Sequence, residues 1–304
     1  MVSAIITTYK RKPDMVMRAL TSILRQTYRD IEIIVVDDSP PDYCARKEVE
    51  SSVLSKQKDL QNIKIKYIAH EKNMGACVAR NTGLNAATGE YVAYLDDDDE
   101  WLPEKLEKQV NVIKQSDVAL VYCGSLCMND DTGKCKEKAR EFVRGRVFDK
   151  LILSNFIEST SYPLIRTECL RMIGGFDPLM QSAQDYDVWL RLAEHYAIDY
   201  VDEPLVLYHE HSGERITTNP AKKINGLQRI NEKFATYLEK DKLVWRKRNI
   251  NIAVYFALVG DFKKAFSLWR ESVHICPSNF KENIQYLLMI VRMGIMSSIN
   301  NKMK

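Results

Sequence analysis

The chain has 304 residues, 45% hydrophobic and 28% charged, enough to bury an ordinary globular core as one large domain with an appendage or as two domains. A formal charge of only +3 argues against a dedicated nucleic-acid binder. The seven cysteines (44, 77, 123, 127, 135, 169 and 276) include no CxxC pair and no metal-finger spacing, which reads as reduced thiols in a cytosolic protein.

Residues 2–8 form a continuous apolar run ending in hydroxyl side chains, the pattern of a buried first strand. Pro13 and Asp14 open a helix whose Val16, Leu20, Ile23 and Leu24 share a face. A second strand at 31–36 stops at Asp37-Asp38-Ser39-Pro40, and a third spans 63–69. A helix rich in small residues then runs over 75–87 and ends at Thr88-Gly89. The fourth strand, 91–95, leads straight into Asp96-Asp97-Asp98-Asp99-Glu100. Pro103 starts a helix with Leu102, Leu106, Val110 and Ile113 at helical spacing, and a fifth strand follows at 118–126. Asn129-Asp130-Asp131-Thr132-Gly133 predicts a hairpin or a mobile loop. Beyond it come Gly174-Gly175-Phe176-Asp177 and a helix over 185–195.

Strands alternating with helices predict an α/β fold, a doubly wound and mostly parallel sheet flanked by helices. From residue 220 onward the chain reads as helix throughout, and 253–279 resembles one tetratricopeptide-type hairpin. The expected division is therefore 1–215 for the α/β domain and 216–304 for an all-α C-terminal region. No apolar stretch is long enough to span a bilayer; the nearest, 284–299, is interrupted by Arg292. The opening MVSAIITTYKRK carries its charge after its short apolar run, unlike a signal peptide, so a cytoplasmic location is expected.

Ligands of open α/β sheets bind beyond the carboxyl ends of the strands. Three polar clusters fall at such ends: Thr7-Thr8-Tyr9, Asp37-Asp38 and 96–100. Four consecutive carboxylates after a buried strand raise each other's pKa unless a cation sits among them. Mg2+ or Mn2+ suits such oxygens and shares its shell with substrate phosphates. The other reading of the same run is a solvated loop favoured by the dipole of the helix that follows. GxGxxG and GxxxxGK[ST] are both absent, so a diphosphate would rely on a metal instead of a glycine loop.

The segments VSAIITTYKR (2–11), ALTSILRQTYRDIEIIVVDDS (19–39), NMGACVARNTGLNAATGEYVAYLDDDDEWLPEKL (73–106) and GGFDPLMQSAQDYDVWLRLAEH (174–195) occur in one order. Together they make the chain resemble a family 2 glycosyltransferase of bacterial type, with the GT-A nucleotide-diphospho-sugar transferase fold. The helical tail lies outside the resemblance.

That resemblance implies the following roles. Thr7 and Tyr9 line the nucleotide pocket with Arg11 nearby, and Asp38 accepts a hydrogen bond from the base, most often uracil. Asn73 and Arg80 fall near the donor. Asp96 and Asp98 match the D-x-D motif, Asp98 as direct metal ligand and Asp96 nearer ribose and metal. Asp185 matches the general base. His209 and His211 point to one face of a strand, and some relatives place a His like His211 near the metal and diphosphate.

Each residue also has a plainer reading. Thr7 and Thr8 cap strand ends, Asp38 starts a turn before Pro40-Pro41, and Arg80 forms a structural ion pair. Asp185 caps the helix after it. Two positions depart from the family pattern. Asp97 stands where a small or apolar residue is usual, which leaves the ligand set open among Asp96, Asp97, Asp98 and Asp99. Gln184 replaces the Glu that usually precedes the base.

The activity implied is inverting, non-processive transfer of a hexosyl group from a nucleotide-diphosphate donor, expected to be a UDP-sugar, to a saccharide or lipid-linked hydroxyl in cell-surface polysaccharide synthesis. The Q-x-x-R-W motif and membrane spans of processive synthases are absent. A nucleotidyltransferase and a catalytically silent scaffold are the rival readings. Tyr286, Leu287, Leu288, Met289, Ile290 and Val291, with Lys281, Arg292, Lys302 and Lys304 around them, suit a helix lying on a membrane surface at its cytoplasmic face or, alternatively, packed as core.

Overall fold

A computed structural model describes residues 1–210 and 219–302, with the side chains of 59 and 296–302 outside the description. The first part of the chain runs β1 (Val2–Thr8), α1 (Pro13–Leu24), β2 (Ile31–Asp37), α2 (Arg46–Ser55), a 3-10 turn (Lys56–Asp59), β3 (Lys64–Ala69), α3 (Ala76–Ala86) and β4 (Tyr91–Asp96). It continues with β5 (Glu100–Trp101), α4 (Lys105–Lys114), β6 (Leu120–Asn129), β7 (Cys135–Glu137), α5 (Phe148–Leu151), β8 (Leu164–Arg166), α6 (Thr167–Met172), α7 (Gln184–His195) and β9 (Ile198–Glu210). The helices α8 (Pro220–Lys233), α9 (Ala235–Leu238), α10 (Lys242–Leu258), α11 (Phe262–Ile275) and α12 (Phe280–Lys302) follow.

The strands form one sheet in the order β3-β2-β1-β4-β8-β6-β9-β5, with β7 added on β6. β3, β2, β1 and β4 are parallel. Strands buried on both faces read as apolar runs, which is why β1, β2 and β4 are mostly hydrocarbon, interrupted by Ser3 and Glu32 before the polar groups at their carboxyl ends. One face of β1 packs Val2, Ala4 and Ile6 with Val16, Ala19, Leu20 and Ile23 of α1. On the other face α3 comes so close that a Cβ on Gly83 would lie 2.5 Å from Ile5 Cγ2. That close approach accounts for the glycine at position 83.

Beyond β4 the pairing is mixed, because β8 runs antiparallel to both β4 and β6 while β6 and β9 are parallel. β9 extends well beyond the apolar run 205–208, since Asp199, Asp202 and Glu203 interrupt its pattern. Residues 129–133 close the β6–β7 hairpin, with the Gly133 N–H donating to the Asn129 carbonyl at 2.8 Å. Among the described residues no disulfide joins two cysteines.

The chain divides into two compact units, one of Met1–Pro178 and Asp185–Ser212, the other of Leu179–Gln184 and Gly213–Lys304. The second has its own core of Ile224, Leu227, Ile252, Ala253, Phe256, Ala257, Ala265 and Ile290. Asn219, Asp241 and Asp261 cap its helices by accepting backbone N–H bonds. α10 and α11 form the helical hairpin, with α10 starting earlier than the tetratricopeptide-like pattern predicts. Among the described residues, no helix is both long and apolar enough to cross a membrane.

Candidate active site

The order β2-β1-β4 puts a change of winding direction at β1, and the register aligns Thr8 with Asp37 and Thr7 with Asp96. Three strands thus deliver polar groups to one edge, where crevices of such sheets lie. Asp37 is consumed internally: Oδ1 accepts the Ser39 N–H at 2.8 Å and Oδ2 accepts the Tyr67 hydroxyl at 2.5 Å. Burial, then that bond, pushes the Tyr67 phenol far up.

Asp38 is buried and binds His70 Nδ1 at 2.7 Å and the N–H groups of Met74 (2.7 Å) and Gly75 (2.8 Å). A carboxylate offers about four acceptor positions, and these bonds take three of them. Asn73 Oδ1 accepts the same Gly75 N–H at 2.9 Å, which ties it to the turn that enters α3. Thr7 is half-buried at the rim. Tyr9 is exposed, with the Lys10 ammonium 5.5 Å from its ring centre, and the Lys10 N–H donates to Ser39 Oγ at 2.8 Å.

The acid run alternates between open and buried. Asp96 and Asp98 side chains are 31% and 22% exposed, whereas Asp97 is 8% exposed and Asp99 is fully buried. Arg11 spans two of them, Nε to Asp97 at 3.0 Å and Nη2 to Asp98 at 3.2 Å. Arg18 donates to the Asp98 carbonyl at 2.9 Å. Asp99 accepts from the Ser161 hydroxyl at 2.6 Å, and its N–H closes a turn onto the Asp96 carbonyl.

Burial pushes the Asp97 carboxyl up to about 7 despite the opposing Arg11, with repulsion from Asp98 and Asp96 adding less. Asp99 is raised too, again by burial first and by Asp96 and Asp98 after it. Crowding of like charges, the cause expected from the sequence, is therefore secondary to desolvation.

Among the described residues, no group of three or more His, Cys, Asp or Glu is arranged to hold a metal. Two open carboxylates, Asp96 and Asp98, suit a Mg2+ or Mn2+ ion that takes its remaining oxygens from water and substrate phosphates.

α3 supplies the opposite wall. Arg80 Nη2 donates to Asp96 at 3.0 Å, and its guanidinium lies 5.4 Å from the Phe176 ring centre. Burial opposes the Arg80 charge, yet Asp96, with Asp185 adding less, leaves its pKa raised. The next residue, Asn81, clamps Phe176 with two bonds, Nδ2 to its carbonyl at 2.7 Å and Oδ1 from its N–H at 2.8 Å. Gly175 precedes it at φ +67°, a left-handed geometry that glycine supplies.

Asp187, fully buried, accepts two bonds from Arg191, which also donates to the carbonyls of Ile173 and Gly175. α7 begins one residue earlier than predicted, at Gln184, so Asp185 sits inside the first turn instead of capping it. Asp185 is half-buried, with Asn155 Nδ2 3.5 Å from Oδ2. Gln184 donates to the Met180 carbonyl at 3.0 Å, a bond that an ionised Glu could not make.

Several neighbours carry no sequence signal. Thr160 and Ser159 donate to the two oxygens of Asp96 at 3.1 and 3.4 Å. His209, which the sequence had already singled out beside His211, is buried between Asp130 (2.6 Å) and Glu100 (2.9 Å). His211 lies outside the described residues.

The glycosyl transferase family 2 model matches residues 3–174 of the chain. The protein belongs to glycosyl transferase family 2. It is therefore a glycosyltransferase, and Asp185 lies beyond the matched span. The chain is 28% identical over 192 residues to WfgD of Escherichia coli, a UDP-Glc:alpha-D-GlcNAc-diphosphoundecaprenol beta-1,3-glucosyltransferase, covering 63% of this chain and 69% of that one. Among solved structures it is similar to residues 1–349 of S. aureus TarS in complex with UDP-GlcNAc, with TM-score 0.66, 16% identity and coverage of 99% and 91%. It is also similar to mannosyltransferase PcManGT from Pyrobaculum calidifontis in complex with GDP-Man and Mn2+, with TM-score 0.58, 18% identity and coverage of 99% and 86%. These two likenesses establish the GT-A fold.

Proposed function

We propose that this protein is an inverting, non-processive glycosyltransferase that moves a hexosyl group from a UDP-sugar to a hydroxyl of a saccharide or lipid-linked acceptor, in cell-surface polysaccharide synthesis at the cytoplasmic face of the membrane. The observation that carries this reading is the strand register that sets Thr8 beside Asp37 and Thr7 beside Asp96, with Arg11 bound to Asp97 and Asp98. WfgD supports a lipid-linked acceptor, TarS a UDP-sugar, and PcManGT a divalent cation, each by what it binds or acts on.

Asp96 and Asp98 would hold Mn2+ or Mg2+, which when bound neutralises negative charge on the departing nucleoside diphosphate. Thr7, Tyr9, Arg11, Asp38 and Asn73 would line the nucleoside end, Asp38 accepting a hydrogen bond from the base. Asp97 would serve by holding Arg11 in place. Asp185 would take the proton of the acceptor hydroxyl as that oxygen attacks the anomeric carbon from the face opposite the leaving group. A silent scaffold would have no use for Asp98 and Asp185 together.

Purified protein given a panel of nucleotide sugars and a saccharide acceptor should release nucleoside diphosphate only with a divalent cation present. Asp98→Ala should lose the metal response, and the product's anomeric configuration by NMR should be inverted. Undiminished turnover in excess chelator would sink the metal assignment, and a retained anomer the displacement.

A further inference from the structure

The near-neutral total charge hides two opposite halves. Residues 1–215 carry 28 Lys and Arg against 35 Asp and Glu, whereas residues 216–304 carry 16 against 6. In the helical unit α12 turns Asn283 and Ile290 inward, Ile290 joining the core with Phe256 and Ala265. Its outer face carries Phe280, Ile284, Leu288, Val291 and Ile295, all exposed and as much as 74% so at Phe280. At 100° per residue these five fall within a stripe about 80° wide. The consecutive cluster 286–291 seen in the sequence thus separates into a core-facing and an outward-facing set. Lys281 and Arg292, both exposed, lie along one edge of the outer stripe. Arg246 and Arg248 are buried on Glu282, Asn283 and Asn231, whereas Lys242, Lys247, Lys263 and Arg270 are exposed.

An apolar patch of this kind marks an interaction surface, and charge identifies what covers it. A second copy docked stripe to stripe would bring like charge against a basic unit. Nucleic acid would use the charge but leave five hydrocarbon side chains wet. An anionic lipid surface uses both. As no described helix can cross a bilayer, contact is lateral.

We propose that α12 is a docking face by which the protein lies on an anionic membrane surface, its apolar stripe at the headgroup–acyl boundary and Lys281 and Arg292 at the level of the lipid phosphates. The proposal deepens the reading above by giving a route to lipid-linked acceptors, but vesicle binding is read without donor or acceptor.

The full-length protein should sediment with phosphatidylcholine vesicles containing phosphatidylglycerol and stay in solution with phosphatidylcholine alone. A variant with Ile284→Ser, Leu288→Ser and Val291→Ser leaves the core untouched. It should bind at least about tenfold more weakly while keeping its helical circular dichroism and its transfer to a soluble acceptor. Wild-type protein left in solution with anionic vesicles, or a triple variant that sediments as well as wild type, would overturn the proposal. So would a solution dimer abolished by the same three substitutions, which would give the stripe to a second copy.

Discussion

Arg80 donates to Asp96, and Asp185 adds a smaller share to the field that keeps the guanidinium charged. Asp185→Asn tests the division of labour between them. Position 185 lies in the first turn of α7, where the helix dipole favours a carboxylate by about 0.3–1 kcal/mol at exposed sites. Asp185 is half-buried, so loss of that charge should change stability by up to about 2 kcal/mol. The amide cannot accept a proton, and general-base assistance contributes about a hundredfold to ten-thousandfold. Near-normal donor affinity with kcat lowered on that order is the expected result; a variant keeping half of wild-type kcat would return Asp185 to a structural role. Asp187 is no substitute, because it is buried and bound twice by Arg191. The acid run was legible in the sequence because four carboxylates after an apolar strand are chemically conspicuous. Ser159, Thr160 and Ser161, which hold Asp96 and Asp99, were not, since hydroxyl side chains in a loop carry no periodicity.

At the scale of elements, legibility follows burial. β1, β2 and β4 were readable since both faces are covered and the runs are mostly apolar. β5 and β8 span two and three residues, too short for any period, and α2 has only Val49 and Val53 buried. The small residues of α3 could be seen, but the reason for Gly83 among them could not. Gly83 gives a test whose sign is diagnostic. In an exposed helix interior Gly→Ala stabilises by about 0.8–1 kcal/mol. Here the added Cβ would meet Ile5 Cγ2 at 2.5 Å, a branched atom fixed in the core under β1. Gly83→Ala should instead destabilise by about 1–3 kcal/mol, the usual cost of overpacking. Since Arg80 and Asn81 ride on the same helix, donor binding should weaken with it. Thermal melts and donor titration check both, and a raised Tm would mean that α3 has room to move.

Across the whole molecule the two signs of charge have different consequences for an anionic surface, which repels residues 1–215 and attracts residues 216–304. That attraction is screened by salt, with a Debye length of about 10 Å at 0.1 M and about 3 Å at 1 M, whereas burial of the α12 stripe is not. A lipid-linked acceptor embedded in anionic vesicles and a soluble analogue of the same acceptor should therefore respond differently to salt. The nucleotide-sugar donor is charged in both assays, so its own salt sensitivity cancels in the ratio of the two rates. We expect that ratio to fall several-fold from low to high salt and to level off above zero, the remainder coming from Phe280, Ile284, Leu288, Val291 and Ile295. Lys281→Glu with Arg292→Glu should lower the ratio at low salt and flatten its dependence, while the three serine substitutions should remove the plateau. A ratio indifferent to salt would mean that the charge asymmetry serves something other than access to the acceptor.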